Sequence, residues 1–245
     1  MLDFGFYNMD CMDALKDYPD NYFDLAVVDP PYGINANTYG NGSGLKNHSN
    51  NLSTARRIEK GRLNSGAGKL KNRALNTLNC KWDAFPPKED YFKELFRVSK
   101  NQIIWGGNYF TFKEFENVKY GLPPTRGIIV WDKMQPWENF SQVELAWTSF
   151  DVTASLFQYR NTTGRNKIHP TQKPVSLYEW VLNRYAKPDD IILDTHVGSA
   201  SSLIACHNTG HKYVGFEIDE DYYKRAKERL ERETAQTNIF DFIKE

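Results

Sequence analysis

Cysteine is scarce in this chain: Cys11, Cys80 and Cys206 stand far apart, and no Cys-x-x-Cys pair occurs. That excludes a disulfide framework and a structural zinc site, so no metal is expected. No apolar run approaches the roughly 20 residues that a membrane-spanning helix needs. The start, Met1-Leu2-Asp3-Phe4-Gly5, lacks the basic and apolar stretches of a signal peptide, so a cytoplasmic protein without membrane contact is expected by default. Net charge is also missing, with Lys+Arg and Asp+Glu both at 31, so the overall balance announces no nucleic-acid partner. No internal repeat is present. With these classes set aside, 245 residues at 40% hydrophobic and 25% charged fit one α/β domain, 1–245, around a single large core.

Local pattern then divides the chain. Phe23-Asp24-Leu25-Ala26-Val27-Val28 is a run of strand formers that stops at Asp29-Pro30-Pro31, because successive prolines cannot continue a ladder. Between about 35 and 80 the apolar periodicity vanishes. There Lys46, Arg56, Arg57, Lys60, Arg62, Lys69, Lys71 and Arg73 face a single acid, Glu59, which describes a basic loop or small insertion. Apolar residues at helical spacing (Tyr91, Phe92, Leu95, Phe96) predict a helix over 89–98. Strand-like runs follow at 102–105, 127–131 and 144–147. Pro174 fits the first turn of a helix running to about Tyr185. The remainder reads as a strand (191–194), a Gly/Ser turn, a helix (201–208), a strand (213–217) and a charged amphipathic helix from Asp221 to about Glu233. Strands alternating with helices predict a doubly wound, mostly parallel sheet.

Two segments carry chemistry. At Asp194 to Ser202 a strand ends in an acid and is followed by Gly198-Ser199-Ala200-Ser201-Ser202, a small-residue turn that lets a ligand approach the backbone at a helix start. Glu217 closes the next strand about 20 residues later, where an acid accepts hydrogen bonds from ribose hydroxyls. The pair points to an adenosine-containing cofactor. The turn lacks the Gly-x-Gly-x-x-Gly of dinucleotide sites and the Gly-Lys-Ser/Thr of a P-loop; alone, it equally fits a tight turn in an α/β core. The second segment, Asp29-Pro30-Pro31-Tyr32, is a stiff arm at a strand's carboxyl end. It offers a carboxylate, a free backbone carbonyl and an aromatic face, which match a flat base bearing an exocyclic NH2. A strand-terminating turn with a buried tyrosine would use the same residues.

Taken together these blocks resemble the amino-specific DNA methyltransferases (N6-adenine and N4-cytosine), in the permuted β order that places the catalytic motif before the cofactor motif. The resemblance covers nearly the whole chain. It is carried by Met9-Asp10-Cys11 with Phe23-Asp24-Leu25 and Asp29-Pro30-Pro31-Tyr32, by His169-Pro170-Thr171-Gln172-Lys173-Pro174, by Asp194-Thr195-His196-Val197-Gly198-Ser199-Ala200-Ser201, and by Tyr213-Val214-Gly215-Phe216-Glu217-Ile218-Asp219. The chain departs from the family loop Asp-Pro-Phe-x-Gly-x-Gly-Thr at Thr195, His196 and Ala200. His196 puts an imidazole where the family packs an aromatic ring on the cofactor.

What the resemblance implies is a Rossmann-like, S-adenosylmethionine-dependent methyltransferase fold acting on double-stranded DNA, with homodimers among its relatives. Asp29, Pro30, Pro31 and Tyr32 would be catalytic, directing an amino group at the methyl donor, and Asp at position 29 favours N6 of adenine over N4 of cytosine. S-adenosylmethionine would lie against Asp10, Cys11, Asp29, His169, Lys173, Asp194, His196, Gly198, Ser199, Ala200, Ser201, Glu217 and Ile218. Of these, Lys173 also fits a solvated first-turn lysine, and His169 fits a turn-shaping role better than that of a base. The target must be flipped out of the duplex, with Tyr32 stacking on it. The basic residues from Lys46 to Arg73 would grip phosphates. Carbon-5 cytosine chemistry is excluded because no Pro-Cys occurs. Other substrates, RNA or a glutamine side chain, usually go with Asn before Pro-Pro-Tyr. A nucleic-acid-binding homologue with weak catalysis would not need Asp10, Asp29, Tyr32 and Glu217 together.

Overall fold

The computed structural model describes residues 1–33, 83, 85–110, 113–115, 118–135, 141–160 and 167–235. The candidate DNA-contacting residues Lys46, Arg56, Arg57, Lys60, Arg62, Lys69, Lys71 and Arg73, and the whole 35–80 segment, lie outside the described residues.

In chain order the elements are β1 (Gly5–Asn8), α1 (Cys11–Leu15), β2 (Phe23–Val28), α2 (Glu89–Val98), β3 (Ser99–Trp105), α3 (Gly107–Phe110), β4 (Lys113–Phe115) and β5 (Val118–Tyr120). Then come β6 (Ile128–Asp132), β7 (Val143–Thr148), β8 (Ser155–Gln158), α4 (Val175–Tyr185), β9 (Ile191–Asp194), α5 (Ser201–Asn208), β10 (Lys212–Glu217) and α6 (Glu220–Thr234). β4 and β5 form a separate antiparallel pair. The other strands make one sheet in the order β1-β10-β9-β2-β3-β7-β6-β8. Among the described strands of that sheet β7 alone is reversed, pairing antiparallel with both β3 and β6.

Both faces of β2 are buried, as a near-continuous apolar strand at the centre of a parallel sheet should be. Ala26 and Val28 join Leu15, Tyr91, Leu95 and Val98 in a core under α1 and α2. Leu25 and Val27 face the other way, onto Leu177, Val181, Leu182 and Ala205 of α4 and α5. α2 places Tyr91, Leu95 and Val98 inward at helical spacing, so its amphipathic pattern fixes which face it presents. From β2 the chain crosses through α2 to β3 on one side. From β9 it crosses through α5 to β10 on the other side. The connections therefore diverge between β9 and β2, which opens a crevice at their carboxyl ends. Among the described residues, no helix is long and apolar enough to cross a membrane.

Candidate active site

Sheet register lines the chemistry up along one rim. Asn8 pairs with Glu217, Gly215 with Asp194, Ala26 with Leu193, and Val28 with Ile104. Read across the sheet, the strand ends thus present Asp10, Glu217, Asp194, Asp29 and Trp105. Because β7 is reversed, its beginning lies at this same rim, and Ala146 pairs with Trp105. Glu144, two residues earlier, is delivered to the crevice.

Asp29 is held from two directions. The Tyr32 hydroxyl donates to Asp29 Oδ1 at 2.6 Å. The Lys173 ammonium ion-pairs with Asp29 Oδ2 and lies 3.1 Å from Glu144 Oε2. Glu144 Oε1 in turn receives Lys133 at 2.5 Å. The result is an alternation of charge, Lys133–Glu144–Lys173–Asp29, drawn from four separate segments. Lys173 is 3% exposed, against the wall of the Trp105 ring, whose centroid is 5.4 Å from Nζ. Burial disfavours its charge, yet Asp29 and Glu144 outweigh burial and hold the ammonium above the ordinary lysine range. Glu144 mirrors this: burial opposes its charge, but Lys173 and Lys133 keep its carboxyl below the usual value. The Tyr32 phenol is pushed well up by burial and by the neighbouring carboxylates, so it stays a hydrogen-bond donor.

The Tyr32 ring is stacked on Tyr109 at 4.8 Å and 15°. Its position requires Gly106, which has φ +69° and whose missing Cβ would lie 2.1 Å from Tyr32 Cε1. The backbone N–H groups of Tyr32 and Gly33 donate to Asp83 Oδ1 at 3.0 and 3.1 Å.

The neighbouring loop, Asp194 to Ser201, is tied down locally. Gly198 N donates to Glu217 Oε2 at 2.8 Å, and Asp219 N donates to Glu217 Oε1 at 2.9 Å. Asp194 Oδ1 accepts from His196 N at 3.0 Å, and its other oxygen accepts from Ser202. Burial pushes the Asp194 carboxyl up to about 7 despite these bonds, with the charges of Asp29 and Glu217 adding to the rise. Burial likewise raises Glu217. His196 Nδ1 is 2.9 Å from Thr195 Oγ1, which lies 2.6 Å from the Tyr91 hydroxyl. Desolvation pushes the His196 imidazole down to about 4, so it is neutral near pH 7. Ala200 has φ +63°, the left-handed region where the family loop carries glycine.

His169 packs edge-on against Tyr222 at 4.4 Å, lies 3.4 Å from the Gly198 Cβ position, and accepts from Gln172 N through its carbonyl. Burial and the nearby Lys173 push its pKa down to about 3. These contacts fit a turn-shaping residue. Asp10 caps α1, accepting from Met12 N at 2.9 Å, and Cys11 is buried behind it with its thiol raised by burial to about 12. Ile218 is 63% exposed at the end of β10.

The solvated reading of Lys173 is corrected: the side chain is buried, its ammonium held by Asp29 and Glu144. Its ammonium meets Asp29 rather than the 194–201 loop, which it touches through its backbone carbonyl, accepting from Ser201 Oγ at 2.7 Å. Sequence reasoning missed Glu144, Tyr91, Tyr109, Asp83 and Arg229. The signal for Glu144 was present as a lone carboxylate inside Val143–Thr148, an otherwise apolar strand. Arg229 is buried under the loop, with Nη1 2.8 Å from Ser199 O and 2.9 Å from Ser201 Oγ.

A doubly wound sheet with a switch-point crevice defines the class. Residues 130–228 match the family model of the N6/N4 methyltransferases, described as DNA methylase. The type II methyltransferase M.BglII of Bacillus subtilis is 25% identical over 264 residues, spanning 97% of this chain and 72% of that protein. M2.DpnII of Streptococcus pneumoniae, also a type II methyltransferase, is 31% identical over 160 residues, or 65% of this chain and 52% of that one. Among solved structures, the PvuII DNA methyltransferase (cytosine-N4-specific) superposes with a TM-score of 0.55 at 13% identity, covering 96% of this chain and 93% of that chain. That likeness concerns the fold. The matches show a likeness to the amino-DNA methyltransferases, through the family model over residues 130–228 and through relatives of 25–31% identity.

Proposed function

We propose that this chain transfers a methyl group from S-adenosylmethionine to N6 of an adenine turned out of double-stranded DNA. The observation that carries this reading is the Asp29 carboxylate, held at the switch-point rim by Tyr32 and Lys173 beside the Asp194–Ser201 loop.

The donor set suits that cofactor. Asp10, Glu217, Asp194 and Asp29 bring carboxylates to adjacent strand ends, which would repel the phosphates of a dinucleotide but favour a cationic sulfonium and ammonium. Glu217 retains lone pairs beyond its two backbone bonds, so it still accepts from ribose hydroxyls. Asp10 would accept from the adenine amino group, and exposed Ile218 offers an apolar face to the ring. His196, neutral by burial, adds no positive charge beside the sulfonium. When bound, the cofactor supplies an electrophilic methyl group.

This chain's residues would supply orientation. An aromatic amino nitrogen is a poor nucleophile because its lone pair is delocalised. Hydrogen bonds from the NH2 to Asp29 and to the Pro30 carbonyl favour the tetrahedral nitrogen whose lone pair points at the methyl. Tyr32, already stacked on Tyr109, provides the aromatic surface for the flipped base, worth about 1–3 kcal/mol. The lysines and arginines from Lys46 to Arg73 would hold flanking phosphates. Asp at position 29, where cytosine-directed relatives more often carry Ser, supports adenine.

Incubation with methyl-labelled S-adenosylmethionine and unmethylated duplex DNA, followed by nucleoside mass spectrometry, tests the reading. N6-methyladenine is expected. N4-methylcytosine would move the target to the other amino base, and no labelled nucleoside from folded protein would overturn the proposal.

A further inference from the structure

We propose that Lys173 is a positioning residue that locks Asp29 to the loop after β9, with Glu144 of β7 as its second anchor. The inference rests on the reading of Asp29 as the acceptor of the target amino group. The two ends of Lys173 touch both sides of the crevice. Its ammonium pairs with Asp29 on the β2 side. Its carbonyl accepts from Ser201 Oγ, which also receives Arg229 Nη1 from α6. A displacement of the loop therefore reaches the carboxylate through a single side chain.

A buried ammonium is retained only where its partners repay desolvation. Here two carboxylates do so, and each belongs to a different element. Glu144 holds Lys173 from the reversed strand while Lys133 holds Glu144 from behind, so neither anion is left with a surplus charge. A lysine needed only to neutralise Asp29 would not require this second acid. The groups facing the pair are Tyr32 on the same loop as Asp29, Glu144 on β7 with Lys133 behind it, Asp194 at the end of β9, His169 ahead of α4, Tyr178 on α4 and Tyr91 on α2. Of these, Glu144 is the acid that contacts the ammonium besides Asp29.

The test uses the full chain with Lys173→Met, Lys173→Arg and Glu144→Gln. Lys173→Met is expected to lower kcat about 100-fold with KM for S-adenosylmethionine changed less than about threefold, and Lys173→Arg to recover about tenfold of that loss. Glu144→Gln removes one anion and leaves the burial, so Lys173 gives up its proton more easily. An alkaline limb of kcat should then appear at least about one pH unit lower than in the parent. The same shift is read without turnover from the Lys173 Cε–Hε resonance, assigned by its loss in Lys173→Arg. An unchanged midpoint in Glu144→Gln, or a folded Lys173→Met with kcat within about threefold of the parent, would overturn the lock. A shifted midpoint in a protein that methylates no base would overturn the reading of Asp29 and leave the lock standing.

Discussion

The two sides of the crevice share one rim and obey opposite electrostatics. On the β9–β10 side, burial shifts groups toward their neutral forms: His169 and His196 are pushed down, and Asp194 and Glu217 are pushed up. On the β2–β7 side, Lys173 and Glu144 keep each other charged in an equally dry place. The contacts differ as well. Glu217 binds Gly198 and Asp219, 19 and 2 residues away, and Asp194 binds His196 and Ser202, 2 and 8 residues away. Asp29 meets Lys173 across 144 residues, and Tyr32 meets Asp83 across 51. The carboxylates of one side are tied mainly within residues 194–219; the other side is assembled from segments far apart in the chain. A charged, braced carboxylate suits a group that must stay oriented.

The sharpest way to break the assembled side is Gly106→Ala. The new Cβ would fall 2.1 Å from Tyr32 Cε1 at φ +69°, so the ring must move away from Asp29. Strain of about 1–2 kcal/mol and overpacking of about 1–3 kcal/mol should lower unfolding free energy in urea, and methyl transfer should fall further than that loss explains. The local side should break through cofactor affinity instead. In Glu217→Gln one of two backbone donors faces an NH2, and calorimetry should show S-adenosylmethionine binding weakened by about 10–100-fold.

Burial also predicts how the β9–β10 side responds to acid. An unfolded histidine binds a proton near 6.5, whereas His196 does so at about 4 and His169 at about 3. Between those values the unfolded state holds more protons, so these groups make stability fall as pH drops. Asp194, raised to about 7, has the opposite sign: the folded state holds the extra proton from about 4 to 7, and stability falls as pH rises through that window. His196→Phe should reduce the stability lost between about pH 6.5 and 5 by about 1–2 kcal/mol in urea titrations, whereas Asp194→Asn should steepen the same loss. The smallest effect expected is from Ala200→Gly, which relieves a left-handed alanine and should stabilise the chain by about 1 kcal/mol.

This contrast also explains what the sequence made legible. β2, α2, β9, α5 and β10 announced themselves because apolar period and small-residue turns are local signals, and Glu89–Val98 and Ser201–Asn208 match the helices expected. Ala200 and Gly198 stood out for the same reason. α1 and α3 are too short for a period to show, with five and four residues. The strand Val143–Thr148 was readable, but its direction was not, and only the reversed direction brings Glu144 to the rim. Lys173 was visible within a distinctive string, yet a lysine before a helix carries no local mark of burial. Its partners lie in other segments, and that is why its ionic role came only with the fold.

The central claim is that Asp29 orients the amino group while the opposite side holds the methyl donor. It is tested most directly by single-turnover methyl transfer with Asp29→Asn charged with labelled S-adenosylmethionine. A variant that binds the cofactor within about tenfold of the parent but transfers at least about 10³-fold more slowly is the predicted result. Transfer within about tenfold of the parent rate would contradict it.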